Sequence, residues 1–147
     1  MSQMLSNVLA KENIFTHLKS ESKEEAIKRA GELLVASELV ESSYIEKMLD
    51  RETLTTTYIG SGVAIPHGTK ESKAFVKKTG IVFLQYPEGV DFLNGNIAYL
   101  VIGIAALGDE HMDILMNIAD AVGDEDTLKA LIHEKDPHKI YNLLGND

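Results

Sequence analysis

Ten residues from Ile97 to Ala106 (Ile-Ala-Tyr-Leu-Val-Ile-Gly-Ile-Ala-Ala) carry no charge and one aromatic hydroxyl. Extended to Leu107, the run reaches eleven residues, whereas a membrane-spanning helix needs roughly 20. An apolar stretch this short suits a central strand covered on both faces. Covering both faces calls for helices above and below, so this one run already points to a layered α/β fold.

The remaining periodicities supply those layers. Ser22-Lys23-Glu24-Glu25 reads as a capping box, Ser22 accepting from a first-turn amide and Glu25 reaching back. Ile27, Ala30 and Leu34 then recur at helical spacing, predicting a helix over 23–37. Ser43-Tyr44-Ile45-Glu46 reads as a second box, opening a helix that buries Tyr44, Ile45, Met48 and Leu49 and ends near Leu54. After β-branched Thr55, Thr56, Thr57 and Ile59, the chain runs through Gly60 and Gly62 to a short apolar segment, Val63-Ala64-Ile65. That segment is expected to be extended and to deliver Pro66-His67 to a loop. Thr79 to Tyr86 reads as a strand stopped by Pro87-Glu88-Gly89. Asp109 is placed to cap a helix whose buried stripe is His111, Ile114, Leu115, Ile118 and Val122. Helices over 124–134 and 137–144 follow, the last with Asp136 as N-cap and Pro137 at its first position. No internal repeat or low-complexity linker interrupts the pattern. The expectation is one domain over 1–147: an α/β three-layer sandwich built on a mixed, mostly parallel five-stranded sheet.

Composition removes several classes of function. The formal net charge of −9 disfavours nucleic acid, whose phosphates call for clustered Lys and Arg. The chain has no cysteine, which excludes disulfides, thiolate zinc sites, iron–sulfur clusters and cysteine nucleophiles. Met1-Ser2-Gln3-Met4-Leu5 has no basic segment leading into an apolar one, so a cytoplasmic protein is expected.

Chemistry concentrates at Gly60-Ser61-Gly62-Val63-Ala64-Ile65-Pro66-His67-Gly68-Thr69. Apolar residues anchor the backbone before His67, and Pro66 fixes φ and removes a donor. Gly68 is expected to keep the far side clear and to let another backbone or a phosphate come close. Neutral imidazole is nucleophilic near pH 7, its ordinary pKa being about 6.5, and attack on phosphorus gives a transferable phosphoramidate. The competing reading is a loop histidine that hydrogen-bonds a carbonyl, and spacing leaves both open. His111 reads first as a satisfied core histidine. Its functional alternative is a donor to phosphoryl oxygens at a helix N-terminus, where free amides favour anions. Arg51 reads first as a surface residue paired with Asp50 or Glu52; its alternative is a forked cation for phosphoryl oxygens.

Other motifs fail. Gly60-Ser61-Gly62 lacks the third glycine of a dinucleotide fingerprint, its position holding Ile65. A nucleophile elbow on Ser61 would need glycine where Ile59 stands. Gly68-Thr69-Lys70 reverses the lysine–threonine order of a P-loop. His133 and His138 are five apart with Pro137 between them, so they form no i, i+4 metal pair and are expected to be exposed. No metal site and no cofactor is expected.

Read in order, Leu49-Asp50-Arg51-Glu52, Leu54-Thr55, Thr57-Tyr58-Ile59-Gly60, Val63 to Thr69, Lys78-Thr79-Gly80, Gln85 to Val90, Leu100 to Ala106 and Glu110-His111 resemble the IIA components of the bacterial phosphoenolpyruvate-dependent sugar phosphotransferase system. The branch is mannitol/fructose, and the likeness is nearest to its mannitol-specific members. It covers nearly the whole chain. The resemblance implies that His67 is phosphorylated on Nε2 by the phosphocarrier protein HPr, and that the group passes to a cysteine of a mannitol IIB domain. It also implies that Arg51 and His111 stabilise the phosphoryl group. No stretch of the 147 residues is long enough to span a bilayer, so the IIB and IIC parts are expected on separate polypeptides if these are all the residues. Val63 and Ile65 are candidates for the docking contact. Two alternatives stand beside this reading. One is a regulatory IIA-like protein whose phosphorylation state controls partner binding; the other is a stress or ligand-binding domain with an incidental loop histidine.

Overall fold

The computed structural model describes residues 4–145. Met1 to Gln3, which enter the reading of the N-terminus, and both ends of the expected 1–147 span lie outside the described residues.

The described chain runs α1 (Met4–Val8), β1 (Leu9–Phe15), α2 (Lys23–Ala36), α3 (Ser43–Leu54), β2 (Tyr58–Gly60) and β3 (Val63–Ala64). A 3₁₀ helix (Lys70–Phe75), β4 (Gly80–Asp91), β5 (Ile97–Ala105), α4 (Glu110–Gly123), α5 (Glu125–His133) and α6 (Pro137–Gly145) complete it. The strands form one sheet in the order β1-β4-β5-β3-β2. β5, the apolar run, lies in its middle as expected. Its alternate side chains enter two cores. Val101 and Ala105 meet Ala26, Ala30, Leu34 and Met48 of α2 and α3 on one face. Leu100, Ile102 and Ile104 meet Ile114, Ile118, Leu131 and Ile140 of α4, α5 and α6 on the other. Gly103 lets α2 approach closely, since a Cβ there would stand 3.0 Å from that of Ala30.

The sheet is mixed, but not mostly parallel. β1–β4 and β3–β5 are parallel, whereas β4–β5 and β2–β3 are antiparallel. β4 also outruns its expected end. It passes through Pro87-Glu88-Gly89 to Asp91, and its register on β5 shifts between Gln85 and Val90. An irregularity of this kind accommodates a residue without a backbone donor, so Pro87 bends the strand rather than ending it. β1 had no clear signal, because Lys11, Glu12 and Asn13 interrupt its apolar residues; it is an edge strand.

The first capping box forms, with Glu25 N donating to Ser22 Oγ at 3.1 Å and Ser22 N to Glu25 Oε1 at 3.0 Å. The second does not. Ser43 is already helical, and the cap residue Ser42 has α backbone angles and makes no side-chain cap bond. Asp109 likewise precedes α4 without a side-chain bond, while Asp136 Oδ1 accepts from His138 N at 2.9 Å, as its cap assignment requires. Among the described residues no helix is long and apolar enough to cross a membrane.

Candidate active site

The glycines around Ser61 shape a tight hairpin. Ser61 and Gly62 have φ of 54° and 81°, the paired positive values of a turn whose twist matches right-twisted strands. The turn sends β3 beside β5, with Val63 opposite Leu100 and Ala64 opposite Val101. Beyond β3 the backbone stays tied down on both sides of His67. Ile65 N donates to Thr57 O at 3.0 Å and Ile104 N to Pro66 O at 2.9 Å. Gly68 N donates to the Tyr44 hydroxyl at 2.9 Å, and that hydroxyl donates to Ile104 O at 2.8 Å. A Cβ on Gly68 would stand 2.6 Å from Tyr44 Cε1. The glycine therefore makes room for the side chains of Ser72 and Tyr44, not for another backbone or a phosphate as its place in the sequence suggested.

His67 as a residue is 9% exposed, so it does not project from the surface. It lines an open cavity of about 300 Å³ together with Tyr44, Arg51, Ser72, Lys73 and His111. His67 Nδ1 lies 2.8 Å from Ile65 O. Because a carbonyl only accepts, Nδ1 carries the proton and Nε2 the lone pair of the neutral ring. Burial lowers the ring's pKa below its ordinary value and Arg51 lowers it further, while the Ile65 carbonyl and the Glu52 carboxylate work the other way. The ring is therefore neutral at pH 7 and nucleophilic at Nε2.

His111 opens α4 one residue after Glu110. Its ring centroid is 4.7 Å from that of His67, edge to face at 79°. Ile114, Ile118 and Val122 form the buried stripe, but His111 is half-buried at its cavity end and Leu115 only partly buried. Its pKa falls to about 4, chiefly through burial and then through His67, Lys73 and Arg51. A neutral imidazole keeps one N–H to donate, so it can meet a phosphoryl oxygen without being charged.

Arg51 is not held in the pairs that its neighbours suggested. Asp50 meets Lys47 and Glu52 meets Lys23, while Arg51 Nη1 donates to Thr55 O at 2.6 Å. Its guanidinium faces the cavity and acts electrostatically on both imidazoles. Lys70 and Lys73 join it from the 3₁₀ helix, and Lys73 Nζ donates to Gly108 O at 3.2 Å. These lysines and Tyr44 were missed by sequence reasoning. The available signal was an i, i+3 lysine pair directly after Pro-His-Gly, which places both cations on one side of a 3₁₀ turn.

Val63 and Ile65 cannot dock a partner, being 0% and 6% exposed. Both belong to the core beneath the site, because β3 and the residue that follows it are covered. Met112 is an exposed apolar residue on the cavity wall. His133 and His138 are exposed, and among the described residues no group of three or more His, Asp or Glu is arranged to hold a metal.

Two imidazoles and three cations line one cavity at the C-terminal ends of the interior strands β3 and β5 of a mixed, helix-flanked sheet, and the protein is an α/β phosphotransferase that works through phosphohistidine. More narrowly, the chain belongs to the family "Phosphoenolpyruvate-dependent sugar phosphotransferase system, EIIA 2", whose model matches residues 7–147. It is 47% identical over 138 residues to the mannitol-specific phosphotransferase enzyme IIA component of Geobacillus stearothermophilus, covering 94% of this chain and 95% of that one. It is 49% identical over 139 residues to the mannitol-specific EIICBA component of Escherichia coli; there the match covers 93% of this chain and 22% of that longer protein. Its fold resembles IIAMTL in the complex of enzyme IIAMTL and phosphorylated enzyme IIBMTL from Escherichia coli. That match has a TM-score of 0.86 and 46% identity, and covers 92% of this chain and 95% of that one.

Proposed function

We propose that residues 1–147 act as one cytoplasmic phosphocarrier domain that takes a phosphoryl group from HPr on His67 and passes it to a mannitol IIB cysteine. The observation that carries this is the Nδ1–H bond to Ile65 O, which fixes the tautomer and leaves Nε2 to react in a cationic cavity. The Nε2 lone pair attacks the phosphorus of the donor phosphohistidine. The donor's P–N bond breaks and its electron pair returns to the donor imidazole. The positive charge that develops on the His67 ring is shared through Nδ1–H with the Ile65 carbonyl. In the second step a cysteine thiolate of IIB attacks phosphorus, the P–Nε2 bond breaks, and the His67 ring is neutral again.

Phosphoryl transfer depends on positioning and charge more than on covalent chemistry by the protein. Arg51 supplies fixed positive charge and the neutral His111 an N–H for the equatorial oxygens. The 95% coverage of a relative that is itself a mannitol-specific IIA component supports transport over a purely regulatory role. Incubation with phosphoenolpyruvate, enzyme I and HPr tests the reading. The expected label is stable to base and labile to acid, is absent in His67→Ala, and chases onto a mannitol IIB protein. Labelling retained in His67→Ala overturns the assignment, and failure to chase overturns the choice of acceptor.

A further inference from the structure

Glu52 is a carboxylate 7% exposed at the last turn of α3, next to Arg51 in sequence, and no step above uses it. Its Oε1 accepts from Thr57 N at 2.9 Å and from Thr57 Oγ1 at 2.6 Å, and its Oε2 from Thr56 Oγ1 at 2.6 Å. Lys23 Nζ stands 3.7 Å away. A buried carboxylate carries a desolvation cost that only bonds of this kind offset. The segment it grips has two carbonyls that matter for the cavity. Thr55 O receives Arg51 Nη1, and Thr57 O receives Ile65 N. Ile65 O in turn receives His67 Nδ1–H.

We propose that Glu52 is a positioning residue for phosphoryl transfer: by gripping Thr56 and Thr57 it holds both the backbone of Ile65, whose carbonyl sets the His67 tautomer, and the adjoining Thr55 carbonyl that anchors Arg51. Thr57 O holds the N–H of Ile65, and the carbonyl of the same residue, which opens the following peptide to Pro66, faces His67 Nδ1. Releasing Thr57 frees the Ile65 backbone on its N–H side to rotate about φ and ψ, and the Nδ1–H bond loosens with it. The same carboxylate opposes the fall in the His67 pKa, so it favours the phosphoimidazolium charge as well as the geometry. This inference rests on His67 being the carrier.

The test separates the two readings by using a measurement that needs no phosphoryl group. Imidazole ¹⁵N shifts report the tautomer of His67 in the unphosphorylated protein, and quench-flow labelling by phospho-HPr reports transfer. In Glu52→Ala, Nδ1–H is expected to give way to a mixture of tautomers, and kcat to fall on the order of tenfold or more with KM for HPr within about twofold. Glu52→Gln keeps an acceptor for Thr57 N and is expected to restore the Nδ1–H tautomer and most of the rate. If Glu52→Ala does not fold, Thr57→Val, which removes one of the bonds, is expected to shift the tautomer and rate in the same direction by less. Unchanged tautomer and rate in a folded Glu52→Ala, or in Thr57→Val where it is needed, overturn the proposal, as does a Gln variant no better than Ala. Wild-type protein that takes no label defeats the carrier reading instead, and the tautomer measurement still decides the role of Glu52.

Discussion

His67 and His111 sit 4.7 Å apart yet face different requirements. His67 must be unprotonated at Nε2, whereas His111 must offer a donor without adding a charge that repels the incoming phosphoimidazolium. Burial and the surrounding cations satisfy both by keeping each ring neutral. His111→Ala is therefore expected to fold and to be phosphorylated on His67 at a rate lower on the order of 10²-fold, the usual cost of removing one preorganised donor. Single-turnover labelling measures the rate and urea unfolding the stability; an unchanged rate with a large loss of stability returns His111 to the core. At this scale the sequence was legible where a motif fixed residue type and order, as at Pro66-His67-Gly68 and Glu110-His111. It was not legible where a role depends on three-dimensional partners. Glu52 looks like any helical glutamate until Thr57 folds back on it, and Gly68 reads as room for a ligand until Tyr44 is found against it.

Helix α2 shows how an element can be read from local bonds alone. Ser22 and Glu25 satisfy each other's amides, and Ala26, Ile27, Ala30, Gly31 and Leu34 are buried, so cap and stripe agree on one answer. Ser22→Ala is expected to lower stability by about 1 kcal/mol, a typical loss for an N-cap side chain. The midpoint of urea unfolding should fall without a change in slope. Transfer through His67 should be unchanged, because the cap lies outside the cavity; a slower transfer would contradict that separation. Elements whose signal is tertiary were harder to read. β1 is specified by its pairing with β4 rather than by alternation, and β4 continues past Pro87 because β5 supplies partners beyond the irregularity. The parallel or antiparallel sense of each pair depends on crossovers, which local periodicity does not encode. The failed second box has the same origin. Tyr44 N donates to Glu41 O at 2.9 Å and Ile45 N to Ser42 O at 3.2 Å, so the helix grows out of a preceding turn and Ser43 lies inside it instead of capping it.

For the whole molecule, keeping two imidazoles neutral inside the fold links the site to stability. The ordinary pKa of about 6.5 describes the unfolded chain, while His111 in the folded protein titrates near 4 and His67 also lies below its ordinary value. Between those limits the unfolded chain binds protons that the folded chain refuses, so acidification favours unfolding. The stability tied to His111 is fully present above about pH 6.5 and is lost as pH falls toward 4. The lowered carboxyls of Glu21 and Asp124 act in the same direction but in a more acidic window, since carboxylates start from lower ordinary values. Urea unfolding at a series of pH values separates the two. Wild type is expected to lose stability from pH 6.5 to 4.5 more steeply than His111→Gln, and the two curves should become parallel only about one unit below the folded pKa of about 4. Equal slopes across the upper window would mean that His111 takes up its proton as readily in the folded protein as in the unfolded chain. The ring would then owe its neutrality at pH 7 to its ordinary pKa and not to burial, and the claim that the fold keeps His111 neutral would fail.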